Sequence, residues 1–544
     1  MPFGGLAVAL LVGGWLRCCN LQESLWVDEL HTSWTVRGTW PELIGRAAWG
    51  NQPPLYFAVA KICVLLGGES ETAIRMPSLL AGLAVVGLGS FFVLRLTQRP
   101  YLAAVAAWLL ALDPELTFYA QEARPYAFVQ LGLLIHVLFF ARRLPWRRRS
   151  GNAADRRNRE GRDQSSNRPS WTVRIGWIAS LWFAFYCHYT ALIVLSWESL
   201  VLLSLAISGR IDRRLWRFFA IDLGILVVGL LPAAVHVLAI ARRQSDWGVL
   251  VQLWPLPMQL TEVIVFYLFP AMVIALLGWL WKSRPQDDSA KKLPRVTSPV
   301  STAFVVGWGG ALLGTVLGLW MASRLLGVAW FMPRYFIGLW PLIVVFPALV
   351  LSRVSSRSIR GCGVVLLLFV VAVENPMVNA PAGERCRAIS RGENWRDAIA
   401  SLSAAPPSVT TLFVFPNLVE DNRIDEQASD ELMAYLAFPV QAMYELPTEN
   451  RSRELEVAIR SLRGEPIFRD ADITRMLADG QALLLVRGRD DDVVWIIERL
   501  NDHLAPSGRT CDAWVDPFGS VFVVQVNFVT PDELKALESD GERK

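Results

Sequence analysis

Histidine is scarce in this chain, five in 544 residues, and no two stand at metal-ligand spacing, which excludes a zinc-finger type of module. Cysteine is scarce too. Five of the seven (Cys18, Cys19, Cys63, Cys187 and Cys362) fall in or beside apolar runs, where a thiol behaves as a small hydrophobe, so there is no disulfide framework. Only Cys386 and Cys511 lie in polar sequence, and pairing between them is left open. The polar C-terminal part has no Gly-rich phosphate loop and no metal-ligand spacing, so it is assigned no chemistry of its own. No internal repeat is found, whereas transporters are commonly built from repeats with paired broken helices. The first apolar run has no basic stretch before it and ends in Arg17, Cys18 and Cys19 rather than in small residues at a cleavage site, so it reads as a retained helix.

What is abundant is apolar sequence: 53% hydrophobic residues and 23 tryptophans imply a polytopic α-helical membrane protein. Eleven runs of spanning or near-spanning length are expected as transmembrane helices: Phe3 to Leu16, Met76 to Leu96, Tyr101 to Leu112, Tyr126 to Ala141, Ile175 to Cys187, Tyr189 to Ile207, Phe218 to Ile240, Val263 to Trp281, Ala303 to Met321, Phe336 to Leu351 and Gly361 to Val373. A twelfth run, Leu55 to Leu66, has only twelve residues. The segment Arg142 to Arg174 has eleven arginines against three acids, the strongest cytoplasmic signal in the chain; its Arg, Asn and Ser content also reads as disordered. With this and the other basic loops inside, the crossings balance if Leu55 to Leu66 is a juxtamembrane or re-entrant helix on the outer side. Asp28 and Glu29, Gln52, the stretch Asp113 to Arg124, His188, the loop Trp247 to Gln259 and Arg334 then share the outer face.

Charge divides the chain near Pro376. Residues 1–375 hold 35 Lys and Arg against 20 Asp and Glu, and residues 376–544 hold 18 against 29. The two parts are read as a membrane domain, 1–375, and a soluble outer-face α/β domain, 376–544. In the latter Val409 to Phe415, Ala482 to Arg487 and Val521 to Val526 read as strands. Trp395 to Leu402, Leu455 to Leu462 and Val494 to Leu504 read as helices.

The adjacent acids Asp28 and Glu29 follow the first apolar run, among Trp26, Trp34 and Trp40, residues that favour the membrane interface. Two carboxylates at that depth are hard to explain by packing, and a catalytic role is assigned to them. The plainer alternative is a solvated pair in the first turn of a helix.

In order along the chain, VDEL (27–30), NQPPLYF (51–57), AIRMPSLLAG (73–82), YAQEARPYA (119–127), FYCHYTAL (185–192) and MPRYFIGLWP (332–341) resemble the GT-C polyprenol-phosphate-sugar glycosyltransferases, a superfamily that includes protein O-mannosyltransferases and aminoarabinose transferases. The resemblance covers roughly Met1 to Trp340. It implies an inverting enzyme of the cell membrane that moves a sugar from a polyprenyl-phosphate donor to a hydroxyl of an outer-face protein, lipid or glycan, with no nucleic-acid partner.

That chemistry calls for a base, which the resemblance assigns to Asp28. Glu29 would orient the acceptor or share a divalent cation with Asp28, a site His31 could join. Glu122 matches by motif the acid of the second outer loop, with Asp113 competing and a Glu122–Arg124 ion pair as the plainer alternative. Arg334 and Tyr335 stand where the family places a basic residue against the lipid-linked phosphate, a task for the planar guanidinium fork, although an interfacial arginine also snorkels. Arg124 and Arg75 are further phosphate candidates, Arg75 equally a helix anchor. His188, Tyr189, Tyr126 and Gln52 are acceptor or positioning candidates. Many relatives have a charged residue or His at the position of Gln52, so direct catalysis by it is in doubt. A transporter or flippase for a lipid-linked or polar substrate is the alternative of another class, and a catalytically silent relative or polymer ligase a third.

Overall fold

The computed structural model describes residues 2–144, 170–208, 213–242, 267–282, 300–326, 333–381, 384, 390–424, 428–446, 455–464 and 466–535. The loop Trp247 to Gln259, most of the arginine-rich segment and Cys386 lie outside them; Cys511 is a free, half-buried thiol. The chain divides into two compact units: Met1–Leu21, Asn51–Ala60 and Arg75–Ile389 form the first, and Gln22–Gly50, Lys61–Ile74 and Ser390–Lys544 the second. The second therefore takes in two stretches that the sequence reading gave to the membrane half.

The first unit is a bundle of apolar helices. Among the described residues six helical segments are long and apolar enough to cross a membrane: Glu71–Thr97, Tyr126–Arg143, Tyr189–Ile207, Leu215–Arg242, Thr302–Leu326 and Arg334–Leu351. A seventh is counted if Pro100–Leu112 and Pro114–Ala120, bent by 61°, are one span. The helices Pro2–Cys18, Trp171–Cys187 and Phe269–Lys282 fall short on length, and Arg357–Glu374 carries three charges. Eleven crossings are thus more than length and composition establish. Leu55–Gly67 is a short apolar helix of 13 residues.

Hydrogen bonds show which helix ends meet. Arg17, fully buried at the end of the first helix, donates to the carbonyls of Ala111 (3.0 Å) and Leu110 (3.0 Å), closing the last turn of Pro100–Leu112, where a cation suits the helix dipole. Asn375, after the helix Arg357–Glu374, donates to the Leu112 carbonyl at 2.6 Å. Gln121 donates to the Leu16 (2.7 Å) and Cys19 (2.8 Å) carbonyls. At the opposite ends, Arg143 and Arg174 share the buried Asp222, at 2.7 and 2.6 Å. There Arg353 also donates to the Val300 carbonyl, at 2.8 Å.

The second unit contains a five-stranded sheet. The strands are β1 (Thr411–Phe415), β2 (Glu456–Ile459), β3 (Gln481–Arg487), β4 (Thr510–Phe518) and β5 (Val521–Val529), in the order β2-β1-β3-β5-β4. β1 runs parallel to β2 and β3, and β5 antiparallel to β3 and β4. All five residues of β1 are buried, as a central parallel strand covered on both faces requires. The helices Asp470–Asp479 and Asp490–Leu504 contribute Met476, Ile496, Leu500 and Leu504 to a core with Phe413, Leu484 and Val524.

The helix expected over Leu455 to Leu462 is corrected. Glu456–Ile459 is a strand, because Val457 and Ile459 pair with Leu412 and Val414 of β1; β-branched residues suit that surface. Strand β4 was not anticipated in the sequence.

Candidate active site

The loop 121–125 between the helices Pro114–Ala120 and Tyr126–Arg143 is the centre of the polar cluster in the first unit. Pro125 ends the turn and starts the next helix. Glu122 and Arg124 are both buried. The loop is fixed by a chain of hydroxyls: Tyr56 lies 2.9 Å from Ser78, and Ser78 donates to the Arg124 carbonyl at 3.0 Å. Three motifs far apart in sequence, NQPPLYF, AIRMPS and YAQEARPYA, therefore meet at one point.

Two more motifs join them. The ring of Tyr126 packs against His188 with centroids 5.6 Å apart, and against Tyr119 at 4.9 Å. His188 accepts from the Thr190 hydroxyl at 2.8 Å and from the Thr190 N–H at 3.3 Å, both at Nδ1, so its proton sits on Nε2. Burial, then the guanidinium groups of Arg124 and Arg334, hold the His188 imidazole well below its ordinary range, and it is neutral. The Tyr119 hydroxyl lies in the fields of Glu115, Glu122, Tyr126 and Arg334. Arg334 is thus brought to the same end of the bundle as Glu122 and Arg124, with Tyr335 half-buried beside it. Tyr119 opens the motif YAQEARPYA yet was assigned no role from sequence; the clustering of charges about its hydroxyl is tertiary.

The other candidates of this unit fall differently. Asp113 caps the helix Pro114–Ala120 by accepting from the Leu116 N–H at 2.8 Å. It also accepts from the Trp340 indole at 3.0 Å and from the Tyr267 hydroxyl, so it is committed to capping and packing. Arg75, fully buried, donates to the carbonyls of Asn20 (2.9 Å) and Leu21 (3.1 Å), the anchoring arrangement. Tyr189 is hydrogen-bonded to His236. Among the described residues the side-chain oxygen of Gln52 is buried with no hydrogen-bond partner.

In the second unit, Asp28 and Glu29 open the helix Val27–Arg37, Asp28 half-buried and Glu29 fully buried. Lys61 closes the other end by donating to the Val36 (2.7 Å) and Gly38 (2.5 Å) carbonyls. His31, one turn on from Asp28, has Nε2 3.0 Å from the Arg46 carbonyl. Its ring is packed among Trp34, Tyr435 and Phe438. A Cβ at Gly50 would come within 2.1 Å of that ring, so glycine is required there. His31 serves packing, and among the described residues no three His, Cys, Asp or Glu side chains are grouped to hold a metal ion.

The fold is similar to the crystal structure of apo ArnT, an aminoarabinose transferase, from Cupriavidus metallidurans, with a TM-score of 0.50 at 15% identity over 96% of this chain and 97% of that one. The same protein bound to undecaprenyl phosphate gives 0.48 at 15% identity, with 96% and 97% covered. AglB, an archaeal oligosaccharyltransferase from Archaeoglobus fulgidus in complex with an inhibitory peptide and a dolichol-phosphate, gives 0.44 at 10% identity over 97% of this chain and 74% of that one. No family model matches the chain, and no curated sequence does. The likeness to apo ArnT shows a shared fold.

Proposed function

We propose that the chain is an inverting membrane glycosyltransferase that moves a sugar from a polyprenyl-phosphate donor to the hydroxyl of an acceptor. The observation that carries the reading is the gathering of Glu122, Arg124, Tyr126, His188 and Arg334 at one end of the first unit. A neutral imidazole and two guanidinium groups form a cationic end suited to a phosphate. In the transfer, the acceptor oxygen bonds to the anomeric carbon from the face opposite the phosphate, and the carbon–oxygen bond to phosphate breaks. Asp28 takes the proton of the acceptor O–H, and the polyprenyl phosphate leaves with the electron pair. Arg124 and Arg334 stabilise its added charge through paired hydrogen bonds. Glu29 orients the acceptor, Glu122 holds the arginines in register, and the amide of Gln52 meets a donor group on the substrate. Arg75 is assigned to anchoring, and Tyr335 to the rim of the phosphate site.

The likeness to a protein that has been crystallised with undecaprenyl phosphate supports that lipid as the first donor carrier to try. Membranes containing the chain are to be supplied with undecaprenyl-phosphate-linked glucose, mannose and aminoarabinose, each radiolabelled in the sugar. Label passing to a membrane or protein fraction supports the reading. Label taken up into sealed vesicles while still on its lipid would replace it with transport.

A further inference from the structure

The acid-bearing helix lacks a cap of its own. Trp26 stands at the N-cap of Val27–Arg37 and supplies no side-chain hydrogen bond, although the first N–H groups of any helix need acceptors. The acceptor comes from 366 residues along the chain, where Glu393 Oε2 receives the Val27 N–H at 2.8 Å.

We infer that Glu393 is a positioning residue for Asp28, holding the start of its helix from the sheet of the same unit; the inference rests on the reading of Asp28 as the base. Glu393 is buried, and its oxygens are engaged by three donors. Oε1 receives Arg487 Nε at 2.8 Å, and Oε2 receives the Trp395 indole N–H at 2.8 Å beside that of Val27. Its backbone is bridged to Gly519 at the β4–β5 turn, and the next N–H, of Asn394, donates to the Phe518 carbonyl at 3.1 Å. Arg487 is the last residue of β3 and donates also to the Asn417 carbonyl at 3.2 Å. A carboxylate anchored to two parts of a sheet thus ends on the N–H one residue before Asp28.

A second tie acts on the approach to the helix. Tyr444 accepts from the Leu25 N–H at 2.9 Å and donates to Glu71 at 3.0 Å. Arg396 joins Glu71 at 2.9 Å to the Gln22 carbonyl at 2.8 Å. With Lys61 on the far end, the helix is held at both termini, the condition for keeping a base within the small tolerance that proton transfer allows.

Two variants test this. Glu393→Ala removes the carboxylate but also strips Arg487 and Trp395 of a partner. Val27→Pro removes the N–H while leaving the Glu393 carboxylate on Arg487 and Trp395, and it exchanges the buried isopropyl group of Val27 for a ring of similar size; proline is favoured at the first helical position, and Trp26 already has the extended backbone, φ −85° and ψ 171°, that a residue before proline requires. Both are compared with wild type by amide exchange at Glu29 and Leu30, and by transfer from the same labelled undecaprenyl-phosphate sugars. Both should speed exchange at those two amides. Both should also lower turnover by about 10- to 100-fold, leave KM for the donor unchanged, and add no loss in the Asp28→Asn background. Unchanged exchange, unchanged turnover in Val27→Pro, or a full further loss in the Asp28→Asn background overturns the inference. If wild type transfers no sugar at all, the glycosyltransferase reading falls, and the exchange measurement alone decides whether the clamp exists.

Discussion

At Asp28 a change of one atom separates chemistry from packing. Asp28→Asn keeps the size of a half-buried side chain in the first helical turn, so detergent-purified protein should melt near wild type. Loss of a general base should lower sugar transfer by roughly 10²- to 10⁴-fold; unchanged turnover would remove Asp28 from the mechanism. Arg334→Ala should instead raise KM for the lipid donor far more than for the acceptor, because the guanidinium is assigned to phosphate. An equal loss on both substrates would leave it a structural anchor. The competition between Asp113 and Glu122 shows why single residues were hard to rank from sequence. Both acids lie near the same loop, and what assigns Asp113 to capping and packing comes in part from Tyr267 and Trp340, 154 and 227 positions away.

Among the elements, the close approach of Glu71–Thr97 to Pro114–Ala120 sets where the Glu122 loop begins. A Cβ at Gly82 would lie 2.4 Å from the Ala120 Cβ, so the two helices touch where glycine leaves room. Gly82→Val should push them apart at a cost of about 1–3 kcal/mol, lowering the melting temperature and disturbing the site loop. Unaltered melting would mean that the bundle relaxes freely there. Strands β1, β3 and β5 could be read as apolar runs because both faces are covered. Two edge strands could not. β2 is only four residues long, and β4 carries Asp512, Asp516 and Pro517, which weaken any strand pattern even though nine of its residues pair with β5.

For the molecule as a whole, the buried charged side chains of the first unit gather at two opposite sets of helix ends. Glu122, Arg124, His188 and Arg334 meet at one end, and Arg143, Arg174, Asp222 and Arg353 lie at the other. If the bundle crosses the bilayer, single cysteines at Leu326 and Ser356, which flank opposite ends of helices, should react with an impermeant thiol reagent from opposite sides of sealed vesicles. Reaction from one side would contradict the alternation of the helices.

By itself the amino-acid sequence determined the membrane character, the polar texture of the C-terminal part and the stretches where candidate site residues stand, since these follow from hydrophobic run length, loop charge and short motifs. Tertiary structure alone decided which of those residues meet. It joined Tyr56, Ser78 and Arg124 through hydroxyls, assigned Asp113 to capping and His31 to packing, and tied the Asp28 helix to Glu393. The physical reason is range. Composition and periodicity report on neighbours within a few residues, whereas a buried polar group takes its partner from wherever the fold delivers one.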